Sequence, residues 1–237
     1  MTDMTAEDLR KSILQQAIQG KLIPQNPDDE PASVLLERIR AEKARLVKEK
    51  KIKKDKNESR IYRTEDGHWM EHFEDKSRED VCIDKEIPFD IPKDWEWCRL
   101  ISYLDVRDGT HDSPKYYNQG VPFVTSKNLK HGGIDFSSCN FISEDDHKKF
   151  SERSCVDDGD ILFAMIGSIG NPVIVRKDRE FSIKNVALFK RYINEATCNK
   201  YIYYYLEYIQ SDLKKIASGG VQSFIGLNTL LLYRNII

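Results

Sequence analysis

Gly159–Val175, GDILFAMIGSIGNPVIV, is the stretch whose reading settles the kind of fold. Ile161–Ile166 is a short apolar run entered through the turn signal Asp157-Asp158-Gly159-Asp160, the pattern of a strand buried on both faces. Gly167-Ser168-Ile169-Gly170-Asn171-Pro172 turns the chain, and Val173–Val175 returns it as the second arm of a hairpin. Outward from this hairpin, Val121–Thr125 (VPFVT) reads as a strand, Ser126–Gly133 as a polar loop and Val186–Arg191 as a further strand. Beyond them Ile202, Leu206, Ile209, Leu213 and Ile216 recur every three or four residues. That is the apolar stripe of a helix from about Asn199 to Ala217, stopped by Gly219-Gly220. Interspersed strands and helices define a mixed-sheet α/β (α+β) domain.

Toward the N-terminus the chain changes character. In Ile87–Leu100 (IPFDIPKDWEWCRL), Pro88 and Pro92 hold the backbone extended, and Trp95 and Trp97 alternate with polar neighbours as core anchors of a half-buried strand. Residues 57–86 read as a charged linker with a small hairpin, Ile61–Arg63 and Trp69–Phe73 about a turn at Glu65-Asp66-Gly67. Thr5 is a helix N-cap with Asp8 in the capping-box position, and Gly20 sits where a C′ glycine belongs. A second, longer helix is expected over Ala32–Lys54. Its stripe of Leu35, Ile39 and Leu46 is too narrow for a globular core and suits one partner helix, as in a coiled coil. The lysine run that follows, KEKKIKKDK, reads as a solvated helix end. The expected division is a helical region over 1–56, the linker over 57–86 and the α/β domain over 87–237.

Composition narrows the class. The 237 residues carry a net charge of −2, a poor balance for a chain that neutralises phosphates. The charge is segregated: residues 1–56 hold 13 Lys/Arg against 10 Asp/Glu, residues 57–160 hold 14 against 24, and residues 161–237 hold 10 against 5. Five scattered cysteines without a C-x-x-C pair point away from a disulfide framework and toward a reducing cytoplasm. No run is long and apolar enough for a membrane span, and no membrane partner is expected. No glycine loop for a dinucleotide or a nucleotide phosphate occurs, and no nucleophile elbow. Asn171-Pro172-Val173 stops short of the Asn-Pro-Pro-aromatic signature that adenine methyltransferases carry. His68 and His72 would share a helix face as metal ligands, but Gly67 argues for a turn there. The acidic cluster Asp157, Asp158, Asp160 has no lysine near it in sequence and reads as a turn. No cofactor, no metal and no catalytic residue is expected.

Three blocks in this order, Leu9–Leu46, Ile87–Leu100 and Gly159–Val175, resemble the specificity subunit of Type I restriction-modification systems. The resemblance implies a non-catalytic, cytoplasmic subunit that recognises a sequence on double-stranded DNA. Methyl transfer and cleavage would belong to modification subunits and, through the complex, to a restriction subunit. It also implies that Leu35, Ile39 and Leu46 dock partner subunits, with self-association a further possibility. Complete members carry two recognition domains and two helical regions. This chain corresponds to the front half, either of a longer subunit or as a half-size one that dimerises. The alternative reading is a protein–protein scaffold without DNA readout.

A DNA reader needs polar side chains on loops held by a rigid sheet, with cations for phosphates. Three loops offer them. The first carries Thr110, His111, Ser113 and Lys115; the second carries Thr125, Ser126, Lys127, Asn128, Lys130 and His131. The third carries Gly219, Gly220, Gln222 and Ser223, and Lys184 and Asn185 follow the central hairpin as further candidates. Asn128 and Gln222 have the amide geometry to pair with an adenine edge. Lys130 suits a phosphate, and Lys127 either a phosphate or a guanine.

Overall fold

The computed structural model describes residues 5–130, 132–194, 197–218 and 223–237. In chain order the first elements are α1 (Ala6–Ile18), α2 (Ala32–Lys48), β1 (Ser59–Arg63), β2 (Trp69–Phe73), β3 (Val81–Cys82), β4 (Trp97–Arg99) and α3 (Leu100–Tyr103). Then follow β5 (Leu104–Asp108), β6 (Val121–Thr125), β7 (Leu129–Lys130), β8 (Gly133–Ile134), β9 (Asn140–Ile142) and α4 (Glu144–Ser154). The last are β10 (Ile161–Ala164), β11 (Gly170–Ile174), β12 (Ser182–Lys184), β13 (Val186–Arg191), α5 (Asn199–Ile216), α6 (Leu227–Leu231) and β14 (Arg234–Ile236).

These elements form two compact units. One comprises residues 1–104, 192–196 and 231–237; the other comprises 105–191 and 197–230. The division differs from the one expected at residues 56 and 86, and particular bonds explain why. β14 pairs antiparallel with β4, which brings the last residues to Trp97–Arg99. The supposed linker is a folded three-stranded sheet in the order β1-β2-β3. It is tied to Arg99 by a buried ion pair with Glu71, at 2.5 Å, and a second with Glu86, at 2.7 Å. The hairpin expected inside it is present, with Arg63 opposite Trp69 and Ser59 opposite Phe73.

In the same unit α1 carries the expected capping box: the Asp8 N–H bonds the Thr5 hydroxyl, and the Asp8 carboxylate accepts from the Thr5 N–H. α2 stops at Lys48, six residues short of the expected end, because Lys50 takes a left-handed φ of 58° and the chain turns. Its buried face is Ala32, Leu36, Ile39 and Lys43 rather than a stripe of Leu35, Ile39 and Leu46. Ile39 is fully buried, so its expected role in partner docking is corrected to one in the core. α2 does find a partner helix, but it is the short α3 of its own unit, and the Lys43 ammonium donates to the Ile101 carbonyl at 3.2 Å.

The second unit is built on the central hairpin. β10 lies between β11 and β13 in a sheet ordered β11-β10-β13-β5, and all four of its residues are buried. β11 begins at Gly170, earlier than expected, with Ala164 opposite Gly170 across an irregular register. Gly170 has a φ of 115°, a backbone conformation that L side chains rarely adopt, so glycine is favoured where β11 opens beneath the Gln210 side chain of α5. α5 buries Ile202, Tyr205, Leu206, Ile209 and Leu213; Ile216, expected in the stripe, is exposed at the end of the helix. A second sheet, β12-β6-β9, adds Val124 and Ile183 to a core with Leu162, Val173, Val186 and Leu188. Each such fully buried aliphatic side chain contributes about 1.5–3 kcal/mol. Among the described residues no helix is long and apolar enough to cross a membrane.

Candidate nucleic-acid interface

The second sheet positions the candidate residues. β6 runs parallel to β12 with Thr125 opposite Lys184, so the residues leaving both strands, Ser126–Asn128 and Asn185, emerge at one place. The first loop joins them through a bridge between Thr110 and Lys184, with the Thr110 N–H donating to the Ile183 carbonyl at 3.1 Å. Gly109 makes that approach possible, since a Cβ there would sit 2.4 Å from the Ile183 carbonyl oxygen.

Side chains then lock the first loop to residues 184–185. The Lys184 ammonium donates to the Ser113 hydroxyl at 2.6 Å. His111 Nδ1 lies 2.6 Å from the Asn185 side-chain oxygen, and its Nε2 lies 2.9 Å from the carboxylate of Asp108. Asp108 is buried and also ion-paired with Arg153. Asn185 holds a φ of 53°, a left-handed conformation that asparagine tolerates better than most residues. The Ser126 hydroxyl donates to the Asn185 carbonyl at 3.2 Å, bringing in the second loop.

The result is a cleft of about 410 Å³ whose lining includes Thr125, Ser126, Lys127, Asn128, Lys184 and Asn185. Segments separated by nearly sixty residues of chain thus meet around one concavity. Lys127 and Lys130 are exposed, with their ammonium groups available to an anion. Lys115 lies outside the lining, its ammonium 5.3 Å from the centre of the Tyr117 ring. His131, Gly219, Gly220 and Gln222 lie outside the described residues. The two ends of the third loop are described. Ser218 bridges Phe224, and the Ser223 carbonyl accepts from the Gly167 N–H at 2.9 Å. Phe224 also bridges Ile166, which lines the cleft.

Asn128 does not have the role expected for it. It is buried, its oxygen accepts from the Thr125 N–H and hydroxyl, and its NH₂ group donates to the Asp135 carbonyl and the Ser138 hydroxyl. A carboxamide has two donors and two acceptor lone pairs, and all four are used inside the protein. Asn128 therefore shapes the loop and has nothing left to offer an adenine. Ser126–Asn128 forms a 3₁₀ turn, and Leu129–Lys130 beyond it pairs with Gly133–Ile134.

Sequence reasoning missed Ser138 and Asn140, which also line the cleft, because no local pattern places their segment beside Thr125–Asn128. It also passed over Tyr116 and Tyr117, both exposed; two aromatics directly after Lys115 were the signal available. Near the cleft, hydrogen bonds from Ser137 hold the Asp135 carboxyl below its usual range, and burial pushes the Cys139 thiol up to about 11. The acidic turn at Asp157–Asp160 has a lysine after all. Lys190 reaches it from β13, 2.7 Å from Asp157 and 2.5 Å from Asp160. Burial works against the Lys190 ammonium, yet its bonds to both carboxylates outweigh that and hold its pKa above the ordinary value. Lys190 thus pins Asp157 and Asp160 to β13, a structural role for the turn.

The family model of the Type I restriction modification DNA specificity domain matches residues 92–234, and the chain belongs to that family. The specificity subunit of the Type I restriction enzyme EcoAI from Escherichia coli is 33% identical over 203 residues, covering 83% of this chain and 31% of that protein. The specificity subunit of EcoEI, also from Escherichia coli, is 40% identical over 99 residues, covering 42% of this chain and 13% of that one. The chain thus spans a third or less of the length of these relatives. A solved specificity subunit of a Type I system from M. genitalium is 16% identical with a TM-score of 0.44, covering 64% of this chain and 36% of that one.

Proposed function

We infer that this chain recognises double-stranded DNA as the sequence-reading part of a Type I restriction-modification specificity subunit, with methyl transfer and cleavage carried out by partner subunits. The observation that carries the reading is the convergence of the polar side chains Thr125, Lys127, Lys184 and Asn185 on one cleft within the family-matched residues. Loops held on a sheet supply the rigid positions that base readout needs; exposed Lys130 supplies a phosphate contact that sets register, and exposed Lys127 a contact to a phosphate or a guanine. The net charge of −2 is no obstacle, because a local cationic rim acts within a screening length of about 10 Å.

Docking of modification subunits is assigned to the N-terminal helices. Leu9 and Ile13 on α1, and Leu22 and Ile23 in the connection that follows it, are all about half exposed or more, apolar side chains that a partner could cover. Leu35 and Leu46, only half-buried, remain candidates for the same docking role.

The experiment is duplex binding by the chain, assembled with a modification subunit, at several salt concentrations. A linear fall of log affinity with log salt and enrichment of one sequence from random duplex are expected. Binding that ignores salt and selects no sequence would leave the scaffold reading in its place.

A further inference from the structure

We propose that His68, Cys82 and Asp84 form a binding site for a zinc-class divalent cation on the exposed face of the β1-β2-β3 sheet. One ligand atom from each lies within 4.8 Å of the others, and all three side chains are exposed. The backbone fixes their positions. Met70 pairs with Cys82 across β2 and β3, and the Ile83 N–H donates to the Trp69 carbonyl at 2.8 Å, so the ladder places His68 beside Asp84. Asp84 is oriented further by the Trp69 N–H, which donates to one carboxylate oxygen at 2.7 Å. The other oxygen lies 2.6 Å from His68 Nδ1.

In the absence of metal, a proton between imidazole and carboxylate holds the pair, and the Cys82 thiol bonds the same carboxylate. A cation that displaces the imidazole and thiol protons would occupy the position those bonds surround, with His68 nitrogen, Cys82 thiolate and Asp84 oxygen as ligands and water completing a tetrahedron. The donor set selects the ion. Thiolate with imidazole favours zinc and cobalt over magnesium and calcium, which prefer oxygen alone. The pair weighed and set aside in the sequence, His68 and His72, is no alternative: His68 directly precedes β2 and His72 lies within it. Four residues along a strand, they stand roughly 13 Å apart at 3.3 Å per residue and cannot share an ion. His72 has its own partner, Asp80, at 2.8 Å.

The test is cobalt(II) titration of the reduced chain, with zinc as competitor. A near-ultraviolet thiolate-to-cobalt band saturating at one ion per chain and abolished by zinc is expected. Cys82→Ser removes that band, His68→Asn weakens binding and His72→Asn leaves it unchanged. The zinc X-ray absorption spectrum of the unaltered chain, which needs no variant, should show one sulfur at about 2.3 Å and lighter ligands near 2.0–2.1 Å. No saturable band, a band that survives Cys82→Ser, or a zinc spectrum without sulfur would each overturn the proposal.

Discussion

The Asn128 carboxamide oxygen accepts from both the backbone N–H and the hydroxyl of Thr125, at 2.8 and 2.9 Å, and so closes the 3₁₀ turn that leaves β6. The same side chain spans to Asp135 and Ser138, which makes it the joint between that turn and the segment carrying Ser138.

Asn128→Ala is therefore expected to act through the shape of the loop. Each buried group left without a partner costs about 1–3 kcal/mol. The melting temperature measured by calorimetry should fall by several degrees, and affinity should drop for all duplexes alike. Selective relaxation at one base pair with an unchanged melting temperature would restore Asn128 as a reader.

Lys127 and Lys130 make the opposite kind of contribution. Both are exposed, and replacing either with alanine should leave folding untouched. If each meets a phosphate, the slope of log affinity against log salt shrinks by about one unit per substitution. A changed sequence preference for Lys127→Ala, found by selection from random duplex, would assign that lysine to a base edge instead.

Much of the second unit was legible because its elements are strongly patterned. The central hairpin, Val121–Thr125, Val186–Arg191 and α5 all announce themselves through apolar runs or a regular stripe. α4 does not: in EDDHKKFSERS only Phe150 and Ser154 are buried, so its stripe is too thin to register. The sheet of residues 59–82 looked like a linker because its buried face includes a charge, Glu71, whose partner Arg99 lies 28 positions away. Likewise the cleft depends on a parallel pairing of β6 with β12, and no local pattern declares which strands are neighbours. Residue types suited to DNA could be read from the loops; which of them were already spent inside the protein could not.

The altered burial of α2 yields a contrast between substitutions. Ile39→Glu places a charge in a fully buried position and should unfold the first unit. Leu9→Glu and Ile13→Glu alter exposed positions and should leave it folded while weakening assembly with a modification subunit. All three tryptophans, Trp69, Trp95 and Trp97, belong to this unit, so intrinsic fluorescence follows its unfolding directly. Native fluorescence in the Ile39→Glu protein would return that residue to the docking surface.

The Glu71–Arg99 pair gives the first unit a defined response to acid. Burial pushes the Glu71 carboxyl up, but hydrogen bonds from Arg99 and Ser59 outweigh it and leave the pKa below its ordinary value of 4.5. A carboxyl depressed in the folded state contributes stability that is fully present above the unfolded value and is lost as pH falls through the folded one. Denaturation by urea, followed by tryptophan fluorescence, should thus show stability declining once the pH drops below about 4.5. Glu71→Gln removes this component of the decline and lowers stability at neutral pH. Removing one partner of a buried pair costs about 3–5 kcal/mol, and the lower end is expected because Arg99 keeps Glu86 and the Leu232 carbonyl. An acid response identical in Glu71→Gln and the unaltered chain would mean that other carboxylates govern it.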